Sequence, residues 1–243
     1  MKTLITIAGR AGSKGLPGKN IRPFCGKPLI FWSIDQAIEF YIKQPRSCDV
    51  DIAVCSDSTS LLALVNSNYG NVILKSFGRT KELSIDEAGK INVLRYMVKH
   101  ELVERECNSV YDNIIDLDIT NPLRSIYDIQ AILKMLRYGP DTVMSVVPAR
   151  RSPYFNQIEG RNGTSRISKI FPGTITRRQD SPVVWDLNCN LYAYKREWLM
   201  DDSHIHPVSD NSMIYVMPDY TFCETDTLFD FELAEHLYKK YVM

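Results

Sequence analysis

Between residues 3 and 149 the chain repeats one rhythm: a short β-prone apolar run, a loop, then an amphipathic helical stretch. The runs fall at 3–8, 50–57, 71–75, 111–118 and 142–149, and helical patterns fall at 26–43, 58–70, 86–102 and 125–139. Strands that alternate with helices pair in parallel, because each helix is the crossover that returns the chain to the same end of the sheet. The rhythm therefore predicts an α/β fold with a mostly parallel sheet and helices on both faces. Ligands of such sheets bind outside the carboxyl ends of the strands, which is where each loop that follows a strand must converge.

The rhythm breaks at residues 150–186. This stretch is rich in Gly, Pro and Arg, with short β-like pieces at 154–159 and 165–170. It reads as an inserted hairpin or arm within one domain that spans 1–243. Regular patterns return at 187–199, 213–218 and 228–241.

Composition excludes several classes. Lys plus Arg equals Asp plus Glu at 29 each, so no global charge favours nucleic acid or a membrane surface. No run reaches the ~20 apolar residues of a membrane helix. Six cysteines (Cys25, Cys48, Cys55, Cys107, Cys189, Cys223) are scattered without a CxxC pair. That usage predicts reduced thiols and a cytoplasmic protein.

The first strand opens into "AGRAGSKGLPGKN", with Gly9, Gly12, Gly15 and Gly18 among Arg10, Lys14 and Lys19. Neither GxxxxGK[ST] nor GxGxxG is present, which argues against a P-loop NTPase and a plain dehydrogenase. Glycines still let backbone N–H groups approach an anion, and the three cations supply charge. The loop thus points to a phosphate ligand; a solvated basic turn is the alternative. Near the other end, "ETDTLFDFELAE" places Glu224 and Asp226 two residues apart, so that an extended segment presents both to one side. Two hard carboxylates suit Mg²⁺. The competing reading makes Asp226 or Thr227 the cap of the last helix, with Asp230 in its first turn.

These stretches resemble the acylneuraminate cytidylyltransferase family, including its legionaminic acid branch. Residues 8–34, "VCSDS", "GRTKELSIDEA", "DLDITNPLRS", "LNCNLYAY" and "ETDTLFDFELAE" follow that family's order and spacing. The resemblance implies a Rossmann-like nucleotide-diphospho-sugar transferase (GT-A-like) fold with a dimerisation arm. It implies transfer of CMP from CTP to the anomeric hydroxyl of a nine-carbon 2-keto acid sugar, with release of pyrophosphate. Rival readings are an eight-carbon acid, another base such as GTP, or a non-catalytic nucleotide-binding homologue.

Carried over by position, Ala8, Gly9, Arg10, Ser13, Lys14, Lys19, Asn20 and Arg79 surround the nucleotide, with Lys19 and Arg10 as the catalytic cations. Glu224 and Asp226 form the Mg²⁺ site, although the family commonly has aspartate at the first. Asp118, Arg178, Gln179, Asn188 and Tyr192 fall on the sugar side. Asp118 replaces a common glutamine and remains open between substrate contact and structure, because a carboxylate beside an anionic sugar is unfavourable without a partner. Asp57 reads as loop or cap. The arm is expected to cross to a second subunit of a homodimer.

Overall fold

The computed structural model describes residues 1–12, 15–44, 49–70, 74–85, 88–104, 110–160 and 165–243. In chain order the strands and helices are β1 (Lys2–Gly9), β2 (Pro23–Phe24), β3 (Lys27–Pro28), α1 (Leu29–Lys43), β4 (Asp49–Ser56), α2 (Thr59–Tyr69), β5 (Leu74–Gly78), α3 (Lys90–Glu104) and β6 (Asn113–Leu117). There follow α4 (Ile126–Arg137), β7 (Thr142–Pro148), β8 (Ile158–Gly160), β9 (Ile167–Lys169), β10 (Trp185–Lys195), α5 (Arg196–Leu199), β11 (Ser212–Val216) and α6 (Leu228–Tyr241).

Seven strands form one sheet in the order β11–β7–β10–β6–β1–β4–β5. β1 pairs in parallel with both β4 and β6, β4 with β5, and β7 with β11. The chain builds outward from β1 to β5, then returns past β1 to β6. That reversal opens a crevice at the carboxyl end of β1, where a ligand is favoured. The mostly parallel expectation holds.

β10 runs antiparallel between β6 and β7. Its pairing with β7 shifts register between Leu187 and Tyr192, and Cys189 inside that irregularity has φ +46. A bulge of this kind re-aims the side chains near a sheet's end.

Alternation along the strands divides the core into two layers. Ile5, Ile7, Ile52, Val54, Ile115 and Leu117 pack towards α1, α2, α4 and α6. Leu4, Ala53, Cys55, Ile114 and Met144 face the opposite way, onto Leu94, Met97 and Val98 of α3 and Trp198 and Leu199 of α5. Each such aliphatic side chain stabilises the fold by about 1.5–3 kcal/mol on burial.

β5 is described over Leu74–Gly78, and residues 71–73 of the expected run 71–75 lie outside the described residues. The strand sits at the sheet edge, where Ser76 and Gly78 are tolerated because one side is left unpaired. Within residues 150–186, β8 and β9 pair antiparallel. Cys25, Cys55, Cys189 and Cys223 are free thiols, whereas Cys48 and Cys107 lie outside the described residues. No described helix is long and apolar enough to cross a membrane.

Candidate active site

The loop after β1 is shaped by a turn that its sequence specifies. Leu16, Pro17, Gly18 and Lys19 close a β-turn in which the Lys19 N–H donates to the Leu16 carbonyl at 3.2 Å. Gly18 sits at φ +67, ψ 14, the left-handed third position of a type II turn, and Pro17 pre-sets the second. A single 3₁₀ turn over Lys19–Ile21 follows and buries Lys19 and Asn20.

Asn20 Nδ2 donates to the Arg10 carbonyl at 3.1 Å, which ties the two ends of the loop together. Asp57, at the end of β4, accepts from the Ala11 N–H at 2.8 Å and pairs with Arg79 Nη2 at 3.2 Å through the same oxygen. Asp57 is thus an anchor of both the loop and Arg79, a role beyond the loop or cap reading. Arg79 has a buried Nε without a partner among the described residues. Ser13 and Lys14 lie outside the described residues.

The acidic segment reaches the same place from the other end of the chain. Thr225 is buried and donates to the Thr120 carbonyl from its N–H at 2.8 Å and its Oγ1 at 2.9 Å. With Thr225 turned inward, its neighbours Glu224 and Asp226 both line the cavity. Thr227 is the N-cap of α6 and shares a capping box with Asp230, so Asp226 is not needed for capping. Asp226 Oδ1 instead accepts from Lys19 Nζ at 2.7 Å.

The result is a cavity of about 620 Å³ lined by Arg10, Lys19, Arg79 and Lys90 against Asp118, Glu224 and Asp226. Ala8, Gly9 and Asn20 complete the wall under the loop. Burial, with the charges of Asp118 and Asp226, pushes the Glu224 carboxyl up to about 7. A carboxylate raised by burial and by acidic neighbours gains from a nearby cation.

Lys90 was not legible as a site residue. Its Nζ lies 2.9 Å from Asp116 Oδ2 and 2.8 Å from Asp118 Oδ2. Burial works against its charge, but the two carboxylates outweigh burial and hold Lys90 protonated well above the ordinary lysine value. Burial likewise works against the Asp118 charge, and Lys90 outweighs it, so that this carboxyl lies below its usual range. The Arg124 guanidinium fixes the segment behind, donating to the carbonyls of Asp118, Asn121 and Asn190 at 3.0, 2.6 and 2.9 Å.

The donor set fits a divalent cation of the magnesium kind. Glu224 and Asp226 are hard oxygen donors on one wall, and burial beside like charge leaves Glu224 short of a positive partner. No group of three or more His, Cys, Asp or Glu ligands occurs among the described residues. That agrees with an ion that keeps waters and takes phosphate oxygens, and not with an all-protein cage.

The sugar-side residues do not gather in one place. Asp118 lines the large cavity, and it also lines a smaller, mainly apolar recess of about 180 Å³ that includes Tyr192. Arg178 lies in a separate depression with Arg150, Arg151 and Asp219, where its Nη2 donates to the Ala149 carbonyl at 3.1 Å. Gln179 beside it is exposed. The structure brings neither to the Lys19 cavity of its own chain.

Asn188 lines neither the large cavity nor the apolar recess. It is only 1% exposed; its Oδ1 accepts from Ser145 Oγ at 2.6 Å and its Nδ2 donates to Thr221 Oγ1 at 3.0 Å. The amide is used up inside the protein, within the stretch where the pairing of β10 with β7 shifts register.

Comparison with known proteins places these features in context. The family model described as "Cytidylyltransferase" matches residues 4–239. Post-translational flagellin modification protein B of Campylobacter coli is 33% identical over 238 residues, which cover 98% of this chain and 95% of that protein. The CMP-N,N'-diacetyllegionaminic acid synthase of Campylobacter jejuni is 32% identical over 235 residues, which cover 96% and 94%. Among solved structures, a CMP:2-keto-3-deoxy-manno-octonic acid synthetase complexed with CTP has a TM-score of 0.66 at 18% identity over 100% of both chains. That last likeness is one of fold.

Proposed function

This chain belongs to the cytidylyltransferase family, and we propose that it transfers CMP from CTP to the anomeric hydroxyl of a nine-carbon 2-keto acid sugar of the legionaminic or sialic type. The similarity to a CMP-N,N'-diacetyllegionaminic acid synthase supports the legionaminic type first. The observation that carries the reading is the 2.7 Å contact between Lys19 and Asp226 across one cavity. It joins a cationic loop to a pair of acids, which is the electrostatic requirement of a metal-bound triphosphate.

The sugar's anomeric oxygen attacks the α-phosphorus of CTP and forms the new P–O bond. The bond from that phosphorus to the bridging oxygen breaks, and pyrophosphate leaves with the electron pair while the hydroxyl proton passes to water. The protein's part is positioning and charge. Lys19 and Arg10 offset the charge that grows on the phosphate oxygens, and Asn20 keeps Arg10 and Lys19 on one loop. Arg79, held by Asp57, adds its positive charge to the cavity wall beside the nucleotide.

Glu224 and Asp226 would hold Mg²⁺, which supplies further neutralisation of the triphosphate when bound. In the free protein Lys19 and Asp226 satisfy each other. A triphosphate with its cation offers each of them a stronger partner.

The arm is proposed to dimerise the chain. β8 and β9 pair Ile158 with Lys169 and Gly160 with Ile167, so Ile158 and Ile167 share a face of the hairpin. They are 57% and 62% exposed, next to exposed Phe171. A partner that covers this face would receive Arg178 and Gln179, the cation and amide that do not reach their own chain's cavity.

Pyrophosphate release tests the reading, with the purified protein, Mg²⁺, each of four nucleoside triphosphates, and sialic, legionaminic, pseudaminic and eight-carbon acids. Turnover with CTP and a nine-carbon acid is expected. Turnover restricted to the eight-carbon acid or to GTP would move the assignment to those substrates, and binding of CTP without turnover on any acid would end it.

A further inference from the structure

A carboxylate in the wall that faces an anionic sugar repels it, and Asp118 is such a carboxylate. The geometry around it supplies the offset. Lys90, the first residue of α3, places its ammonium 2.8 Å from Asp118 Oδ2 and 2.9 Å from Asp116 Oδ2. Asp116 is 3% exposed and also accepts from Thr6 Oγ1 at 3.2 Å, so it is a buried counter-charge that keeps the ammonium in place.

The other oxygen of Asp118 accepts twice from Thr120, from its N–H and its Oγ1, each at 2.9 Å. Asp118 therefore has one orientation, with Oδ2 directed at Lys90. An ammonium has three N–H donors, and two are directed at carboxylates. The Lys90 side chain is 37% exposed, and both Lys90 and Asp118 line the large cavity as well as the apolar recess. A donor and an acceptor thus stand side by side at the junction of the two spaces.

We propose that Lys90 is a positioning residue for the sugar. Its ammonium converts Asp118 from a repelling charge into half of a donor–acceptor pair, which hydrogen-bonds an uncharged group of the substrate, a hydroxyl or an amide. This assignment rests on the proposed transfer to an acidic sugar. It also explains how an aspartate stands at this position: the cation that permits it comes from another element, α3.

Removal of Lys90 alone would leave the buried Asp116 without its counter-charge, which destabilises a fold whatever the residue does for substrate. The test therefore uses two nearly isosteric variants. Lys90→Met/Asp116→Asn leaves Asp118 charged and alone, and Lys90→Met/Asp116→Asn/Asp118→Asn removes all three charges. With N,N'-diacetyllegionaminic and N-acetylneuraminic acids as probes, the double variant should raise the KM for the sugar about tenfold or more, as a like-charge contact would. The triple variant should return it to within about threefold of the natural protein, since it removes the repelling carboxylate.

The Kd for CTP, measured without sugar, should stay within about twofold in both variants, and kcat should change less than KM. A residue that only holds the fold together would weaken CTP and sugar alike and would not respond to Asp118→Asn. The proposal is overturned if the double variant keeps the natural KM for the sugar, if the triple variant is no better than the double, or if CTP affinity falls in step with sugar affinity. A natural protein that turns over CTP with no acidic sugar overturns the functional reading instead, and this assignment with it.

Discussion

Lys19 Nζ and Asp226 Oδ1 meet at 2.7 Å although 207 residues separate them. Each belongs to a segment whose local structure leaves little choice of position. The Pro17–Gly18 turn delivers Lys19, and Thr225, anchored on Thr120, delivers Asp226. The pair closes the crevice at the end of β1 and so defines which space between the loops is the site.

Gly15 is the tightest point of that closure. A Cβ on Gly15 would stand 2.3 Å from the Asp226 carbonyl oxygen, whereas one on Gly12 would meet nothing within 4 Å. Gly15→Ala must displace either the loop or the Asp226 backbone. A loss of about 1–2 kcal/mol, or about 2–8 °C in melting temperature for a chain of this size, is expected, with weaker CTP binding. Gly12→Ala should melt with the natural protein. Equal melting curves for the two variants would contradict the close approach of these segments.

The Glu224 carboxyl gives a pH dependence of defined sign. Its folded value, about 7, lies above its ordinary 4.5, chiefly through burial and then through Asp118 and Asp226. Its contribution to stability is full below the ordinary value and is lost as pH rises through 7. Glu224→Gln cannot ionise. Without metal, the stability of this variant relative to the natural protein should therefore rise by on the order of 2 kcal/mol between about pH 5 and about pH 8. Urea denaturation at the two pH values checks this; a difference that is constant with pH, or falls, would show that burial and its acidic neighbours do not raise the Glu224 carboxyl.

Much of this architecture was legible in the chain's rhythm, and what escaped has physical causes. Apolar runs at β1, β4, β6 and β7 announced themselves because both of their faces are covered. The direction of β10 did not, since strand composition is blind to parallel or antiparallel pairing. In the site, Pro17–Gly18 and the Glu224-x-Asp226 spacing are local patterns with local consequences. Lys90 is different: a lysine at the start of a helix reads as solvated, and its meaning comes from Asp116 and Asp118, which the fold brings to it from β6 and the loop beyond. The surroundings of Asn188 were not legible either, because alternation along β10 is disturbed by the irregularity at Cys189.

Asn188 should therefore behave as a structural residue. Asn188→Ala removes the acceptor of the Ser145 hydroxyl and the amide donor to Thr221 Oγ1 in a buried setting. A loss of about 2–3 kcal/mol in denaturant unfolding is expected, with the KM for the sugar little changed at a temperature where the variant is folded. A large rise in that KM at unchanged stability would return Asn188 to the sugar pocket.

The arm makes a prediction about assembly. Ile158→Asp/Ile167→Asp places two charges on the exposed hairpin face, where they should not disturb the fold of the single chain. Light scattering should give twice the chain mass for the natural protein and the single mass for the variant. The variant should also lose sugar affinity if Arg178 and Gln179 act on the partner. A natural protein that is monomeric and fully active would remove the arm from the account.

The measurement closest to the central claim is the Kd of CTP, with and without Mg²⁺, for the natural protein, Lys19→Met and Asp226→Asn. The account predicts that Mg²⁺ tightens CTP binding to the natural protein, and that Lys19→Met weakens binding about tenfold or more under both conditions. Asp226→Asn should abolish most of the Mg²⁺ effect. Equal CTP affinity in all three proteins, with the same response to Mg²⁺, would show that the cationic loop and the acidic pair do not hold one nucleotide between them.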